Sequence, residues 1–187
     1  MLFQETMLSG AFVVDIERRV DSRGYFARAF CRREFEDHGL SPVVEQANVS
    51  RSTRKGTVRG MHFQFPPHAE AKLVRATRGA ILDVAVDLRP ESPTFLRHVA
   101  VELSADDQRA LYLPERFAHG YQTLEDGAEV LYLTSASYAP DFEAGLSPFD
   151  RCLGIAWPLP VTEISLKDTG AKPLDDVLDE LKRRLAA

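Results

Sequence analysis

Lys55-Gly56-Thr57-Val58-Arg59-Gly60-Met61-His62-Phe63-Gln64 decides how the rest of this chain is read. Val58, Met61 and Phe63 are apolar, and Arg59, His62 and Gln64 lie between and after them. About the Gly60 kink the stretch reads as a strand with one face in a core and the other lining a cavity. An arginine, an imidazole and a carboxamide on one lining suit an anionic ligand that also exchanges a proton. Taken alone, His62 reads as a satisfied core histidine and Arg59 as a surface charge. The neighbouring sequence has to decide.

Working outward, the pattern is strand after short strand: Gly10–Ile16, Tyr25–Phe30, Val43–Val49, Val58–Phe65, Lys72–Thr77, Ala80–Leu88, Arg97–Leu103, Arg109–Leu113, Gly120–Leu124 and Glu129–Leu133. Arg78-Gly79, Pro90-Glu91-Ser92-Pro93 and Glu125-Asp126-Gly127 punctuate them as turns. Short strands about ten residues apart predict an all-β sandwich or barrel, without choosing between a jelly roll and other antiparallel barrels. Arg33–His38, closed by Gly39, reads as a short helix. The tail, residues 173–187, predicts an amphipathic helix: Leu174, Val177, Leu178, Leu181 and Leu185 form one stripe, with acids early and bases late. That helix is expected to pack on the barrel rather than to serve a dimer contact. No repeat or low-complexity segment interrupts residues 1–187, so one domain is expected.

The 187 residues are 44% hydrophobic and 27% charged, ordinary for a globular chain with a sizeable core. A net charge of -5 with no basic run argues against a nucleic-acid surface. Cys31 and Cys152 are far apart and outside any paired framework, which reads as free thiols in a reducing compartment. No stretch approaches a membrane span, and the first residues lack a basic region followed by a long apolar run; the expected location is cytoplasmic.

The same stretch also belongs to an ordered set of blocks. Asp21-x-Arg23-Gly24-x-Phe26 and Gln46-x-Asn48-x-Ser50 precede it. Lys72-Leu73-Val74, Phe117-Ala118-His119-Gly120, Glu129-Val130-x-Tyr132, Ile155-Ala156-Trp157-Pro158 and Ser165-Leu166-Lys167-Asp168 follow. In order and spacing they resemble the dTDP-4-dehydrorhamnose 3,5-epimerase family, over roughly residues 8 to 170. The resemblance implies a cupin-type jelly roll, usually a homodimer, that epimerises a nucleotide-linked 4-keto-6-deoxyhexose without a cofactor. It implies His62 as base with Asp168 as its carboxylate partner, Lys72 at the developing enolate, and Tyr132 as the acid on the opposite face. Arg23, Arg59 and His119 match positions that hold the diphosphate, where arginine forks suit phosphate oxygens. Gln46 and Asn48 match residues facing the nucleotide, Tyr138 an aromatic beside the base or sugar, and Phe26 belongs to the Arg23 block.

The chemistry asked of these residues is coherent. Removing a proton beside a ketone needs a base titrating near neutrality, as an imidazole does at ~6.5, and a group to hold the enolate oxygen. Inversion then needs a second group to return a proton from the other face. Bland readings remain for each: Lys72 as a strand-edge lysine, Tyr132 as core filler, Asp168 as a capping residue. Cupin metal sites resemble a His-x-His pair, a following Glu and a later His; here the pair is His62-Phe63-Gln64, and an amide is a poor transition-metal ligand. A His62–His119–Glu70 site is the remaining arrangement, and no metal is expected. Alternatives are a one-carbon epimerase, a 3,4-ketoisomerase, a metal-dependent oxygenase and a non-catalytic sugar-nucleotide-binding cupin.

Three places depart from the family pattern, the third less than the others. Arg28 stands where an acid is common, and Arg19 where an aromatic is common; Ser147-Pro148-Phe149-Asp150 replaces a Trp-Asn-Asp-Pro-like run. A carboxylate accepts from the N3–H of thymine or uracil, while an arginine donates to the bare N3 of cytosine. If Arg28 lies at the base, a cytidine diphosphate sugar is favoured; if it points to solvent or phosphate, base choice is unchanged.

Overall fold

A computed structural model describes residues 1–186 of the chain. Its strands are β1 (Leu2–Glu5), β2 (Phe12–Asp15), β3 (Arg19–Asp21), β4 (Gly24–Phe26), β5 (Gln46–Arg51), β6 (Val58–Gln64), β7 (Lys72–Arg78), β8 (Ala80–Asp87), β9 (His98–Ser104), β10 (Ala110–Leu113), β11 (Phe117–Thr123), β12 (Glu129–Thr134) and β13 (Glu143–Gly145). Three helices join them: α1 (Arg32–Asp37), α2 (Leu166–Thr169) and α3 (Leu174–Leu185). A six-stranded antiparallel sheet, β1-β2-β10-β7-β12-β5, faces a five-stranded one, β13-β6-β11-β8-β9. Apart from β1–β2 and β8–β9, neighbouring strands in both sheets are far apart in sequence, as in the expected cupin-type jelly roll.

Alternation within strands sorts side chains into three apolar layers. Val74, Ala76, Ile81, Ala85, Leu111 and Val130 meet between the sheets. Leu73, Ala110 and Tyr112 point the other way, against Phe35 of α1. Met61, Phe63, Val84 and Val86 form the outer layer of the second sheet, covered by Leu174, Leu181 and Leu185 of α3. The tail helix therefore packs on the barrel as its stripe predicted, with the Arg184 guanidinium 3.5 Å over the Phe65 ring. The expected end of that helix at Ala187 lies outside the described residues.

Several strand bounds differ for physical reasons. The strand expected over Tyr25–Phe30 ends at Phe26, because Phe30 leaves the hairpin to pack on Phe35. Val43 and Val44 lie before β5 rather than in it, half-exposed in a loop. β11 begins at Phe117, ahead of the expected Gly120, since every residue of it is buried and the alternation that marks a half-exposed strand is missing.

Candidate active site

The local geometry starts at Gly60. On β11, His119 pairs with His62 and Tyr121 with Arg59, so three steps along β6 are matched by two along β11. That extra residue is a bulge, and it shifts the alternation by one. In an unbroken strand Arg59 would share a face with Met61 and Phe63; after the bulge, Arg59 and His62 both line the cavity and Met61 and Phe63 stay in the outer layer. Only glycine fits here: Gly60 has φ +114, and a Cβ would lie 2.5 Å from Gly120 Cα and 2.6 Å from the His119 carbonyl.

The chain beyond β13 brings the partner carboxylate. Thr57 and Glu163 form a parallel bridge, and Val58 N–H donates to the Glu163 carbonyl at 2.9 Å, which sets residues 161–165 along the cavity. Ser165 Oγ accepts from Asp168 N at 3.1 Å and caps α2. Asp168 thereby reaches His62, with Nε2–H donating to Oδ1 at 2.6 Å, while the Gly60 N–H donates to Oδ2 at 3.3 Å. Burial pushes the Asp168 carboxyl up, but the hydrogen bonds from His62 and Gly60 outweigh it and hold it below the ordinary carboxylate range. An ionised acceptor fixes the imidazole tautomer and leaves Nδ1 as the basic nitrogen.

The six-stranded sheet supplies the facing groups. Lys72 of β7 and Tyr132 of β12 project between the sheets, and Tyr132 sits beside Val74 and Asn48 in register. His62, Lys72 and Tyr132 line both a lobe of about 870 Å³ and a second of about 390 Å³, so they form the waist of one cleft. Lys72 Nζ lies 3.0 Å from Glu70 Oε1. Burial raises the Tyr132 hydroxyl pKa, the charge of Glu70 raises it further, and Arg59 opposes both.

A second histidine–carboxylate pair lies in the larger lobe. His119 Nε2–H donates to Asp83 Oδ1 at 2.7 Å, and Asp83 Oδ2 is buried with no partner among the described residues. Arg59 Nε donates to Ser52 Oγ at 3.1 Å. The arrangement considered for a metal is thus divided among other partners: His62 with Asp168, His119 with Asp83, Glu70 with Lys72. Among the described residues no group of three His, Cys, Asp or Glu side chains converges as metal ligands.

The chain as a whole is similar to known proteins. The family profile described as dTDP-4-dehydrorhamnose 3,5-epimerase matches residues 5–176. The chain belongs to that family. The dTDP-4-dehydrorhamnose 3,5-epimerase of Salmonella typhimurium is 39% identical over 180 residues, 95% of this chain and 98% of that protein. The structure of the Legionella pneumophila epimerase in complex with dTDP-4-keto-L-rhamnose superposes with a TM-score of 0.89 at 34% identity, covering 96% of each chain. The family fold also carries a 3'-monoepimerase: ChmJ from Streptomyces bikiniensis, in complex with dTDP-quinovose, superposes at TM-score 0.85 and 31% identity over 96% of this chain and 98% of its own.

Of the residues matched to the epimerase family, His62, Asp168, Lys72, Tyr132, Arg59 and His119 come together in the larger lobe, and Gln46, Asn48 and Tyr138 line the smaller. Gln46 Oε1 accepts from Tyr138 N at 2.9 Å, and Gln64 is occupied bracing the backbone of His68, Ser137 and Ala139. Arg23, Phe26 and Arg28 lie outside this cleft. Arg23 pairs with Asp21 at 2.6 Å on the β3–β4 hairpin, Phe26 is 70% exposed, and Arg28 Nη1 bonds Glu34 Oε1 at 2.9 Å.

Three carboxylates in or behind the cleft wall escaped the sequence reading as site groups. Asp83 is a fully buried acid between the apolar Leu82 and Val84, which is itself a signal. Glu70 stands two residues before Lys72, on the same phase, and was weighed only as a metal ligand. Glu143, which accepts from Tyr138 Oη at 2.8 Å and pairs with Lys167 at 2.5 Å, gave no local signal at all.

Proposed function

We propose that this chain is an epimerase of a thymidine diphosphate-linked 4-keto-6-deoxyhexose, inverting carbons 3 and 5 to give the 4-dehydrorhamnose configuration. The observation that carries this reading is the cleft waist: a base with a fixed tautomer on one sheet, and an ammonium and a protonated hydroxyl on the facing sheet. A sugar ring lying between them is reached from both faces, as inversion requires. The ketone acidifies its neighbouring carbons; His62 Nδ1 takes the proton, the Lys72 ammonium holds the enolate oxygen, and the Tyr132 hydroxyl returns a proton opposite. Arg59 and His119 are the diphosphate contacts in the larger lobe, and Gln46, Asn48 and Tyr138 face the substrate from the smaller one. No cofactor enters this scheme.

The proposal extends to a cytoplasmic homodimer of one epimerase domain per chain. The β3–β4 hairpin pairs with no other strand and exposes Val20 (76%) and Phe26 (70%), so it calls for a cover. Seated on the neighbouring copy's cleft, it would bring Arg23 and Phe26 to a nucleotide they do not reach within their own chain. Mixing Arg23→Ala and His62→Ala proteins would then restore activity to neither parent alone but to the mixed dimer.

The decisive test is incubation with dTDP-4-keto-6-deoxyglucose in deuterated water. Deuterium at carbons 3 and 5, followed by NMR, is the expected result. Exchange at one carbon alone would make it a monoepimerase, and none at either would overturn the reading.

A further inference from the structure

Glu70 is a cleft carboxylate for which the mechanism above has no use. It precedes β7 by two residues, and its side chain lines the smaller lobe with His62, Lys72 and Tyr132. Its Oε1 lies 3.0 Å from Lys72 Nζ, with side-chain exposures of 11% for Glu70 and 10% for Lys72. Among the described residues no other cation forms an ion pair with this carboxylate. An anion here is costly for the proposed reaction, because negative charge develops on the ketone oxygen in the same cleft. A neutral side chain of that shape would fill the space without the repulsion. The charge must therefore act on its neighbours.

A lysine stem swings freely and its ammonium is a compact point charge, so its position needs an anchor. We propose that Glu70 is a positioning residue for the epimerisation, tethering the Lys72 ammonium at the waist of the cleft where the enolate oxygen forms. The inference rests on the function proposed above. The same carboxylate bears on Tyr132, which lines the cleft with Glu70, Lys72 and His62 at the waist and Arg59 in the larger lobe, with Glu143 and Tyr138 also lining the smaller one. Burial and the Glu70 charge both keep that hydroxyl protonated, Arg59 opposing.

The test is a double-mutant cycle on kcat/KM with Glu70→Gln, Lys72→Gln and the pair, each checked for thermal melting and dTDP binding. Glu70→Gln is isosteric. It is expected to lower kcat by roughly tenfold with KM changed less, and to move the alkaline limb of the kcat profile to lower pH. On the Lys72→Gln background it should add almost nothing, since there is no ammonium left to place. Glu70→Asp, which keeps the charge and shortens the reach, should give an intermediate rate. Additive losses, a normal kcat in Glu70→Gln, or a loss confined to dTDP binding would each overturn the tether. If His62→Ala leaves exchange intact, it is the epimerase reading that falls; additivity at Glu70 and Lys72 removes only the tether.

Discussion

The two histidine–carboxylate pairs of the cleft differ in every respect except their hydrogen bond. His62 and Asp168 are 106 residues apart, with the imidazole one-third exposed to the cleft and both carboxylate oxygens satisfied. His119 and Asp83 are 36 apart on adjacent strands, with the imidazole nearly covered, the carboxylate fully buried and one of its oxygens unpartnered. The first pair has room to pass a proton to a ligand at the waist. The second is set into the wall of the larger lobe, its imidazole held in place by a buried carboxylate. A shared motif of two residues therefore says little; accessibility and the second oxygen decide the role.

The sharpest way to break this contrast is to remove each imidazole. His62→Ala is expected to lose solvent exchange at both carbons by 10²–10⁴-fold or more, with dTDP binding retained. His119→Ala should weaken dTDP binding while leaving exchange measurable at saturating substrate. The reverse pattern in the NMR assay would exchange the two roles. Next in size is Tyr132→Phe, which keeps the ring and removes the hydroxyl. Inversion should fall more than binding, above all at carbon 5, and exchange without inversion there would mark the missing acid. Unchanged rate and stereochemistry would return Tyr132 to the core.

Stability separates the pairs in the opposite sense. Asp83→Ala leaves a buried N–H without a partner and should cost about 1–3 kcal/mol in urea unfolding. Asp168→Ala should cost less, because water reaches His62. Asp168 also carries a pH signature. Its folded pKa lies below the ordinary value of 3.8, so its contribution is complete above that value and is lost as pH falls through the lowered one. The stability gap between wild type and Asp168→Asn should close in that acid window; a gap unchanged from pH 7 to pH 2 would contradict it. The smallest effect is expected at Arg28, which is tied to Glu34. Titration with dTDP, UDP, CDP and GDP should show dTDP preferred by both wild type and Arg28→Glu. A wild-type preference for CDP that reverses in the variant would instead place Arg28 at the base.

Much of the fold was legible because it is written in local periodicity. The short strands and the apolar stripe of α3 emerge from spacings of two and of three to four residues, whatever lies elsewhere in the chain. What blurred the reading was burial on both faces at β11 and exposure on both faces at the β3–β4 hairpin, where alternation carries no information. In the site, Lys72 and Tyr132 stood out only through the family blocks, since a lysine or a tyrosine in an apolar strand has an ordinary structural explanation.

The sequence by itself determined the residue types for the chemistry, the all-β class and, through ordered blocks, the family. Tertiary structure alone decided which of them meet. The Gly60 bulge turned Arg59 and His62 to one face, a bridge from Thr57 to Glu163 carried Asp168 across the chain, and the facing sheets put Lys72 and Tyr132 in the same cleft as His62. Each of these depends on hydrogen-bond register between segments distant in sequence, and register is set by the packing of whole sheets, which no local pattern encodes.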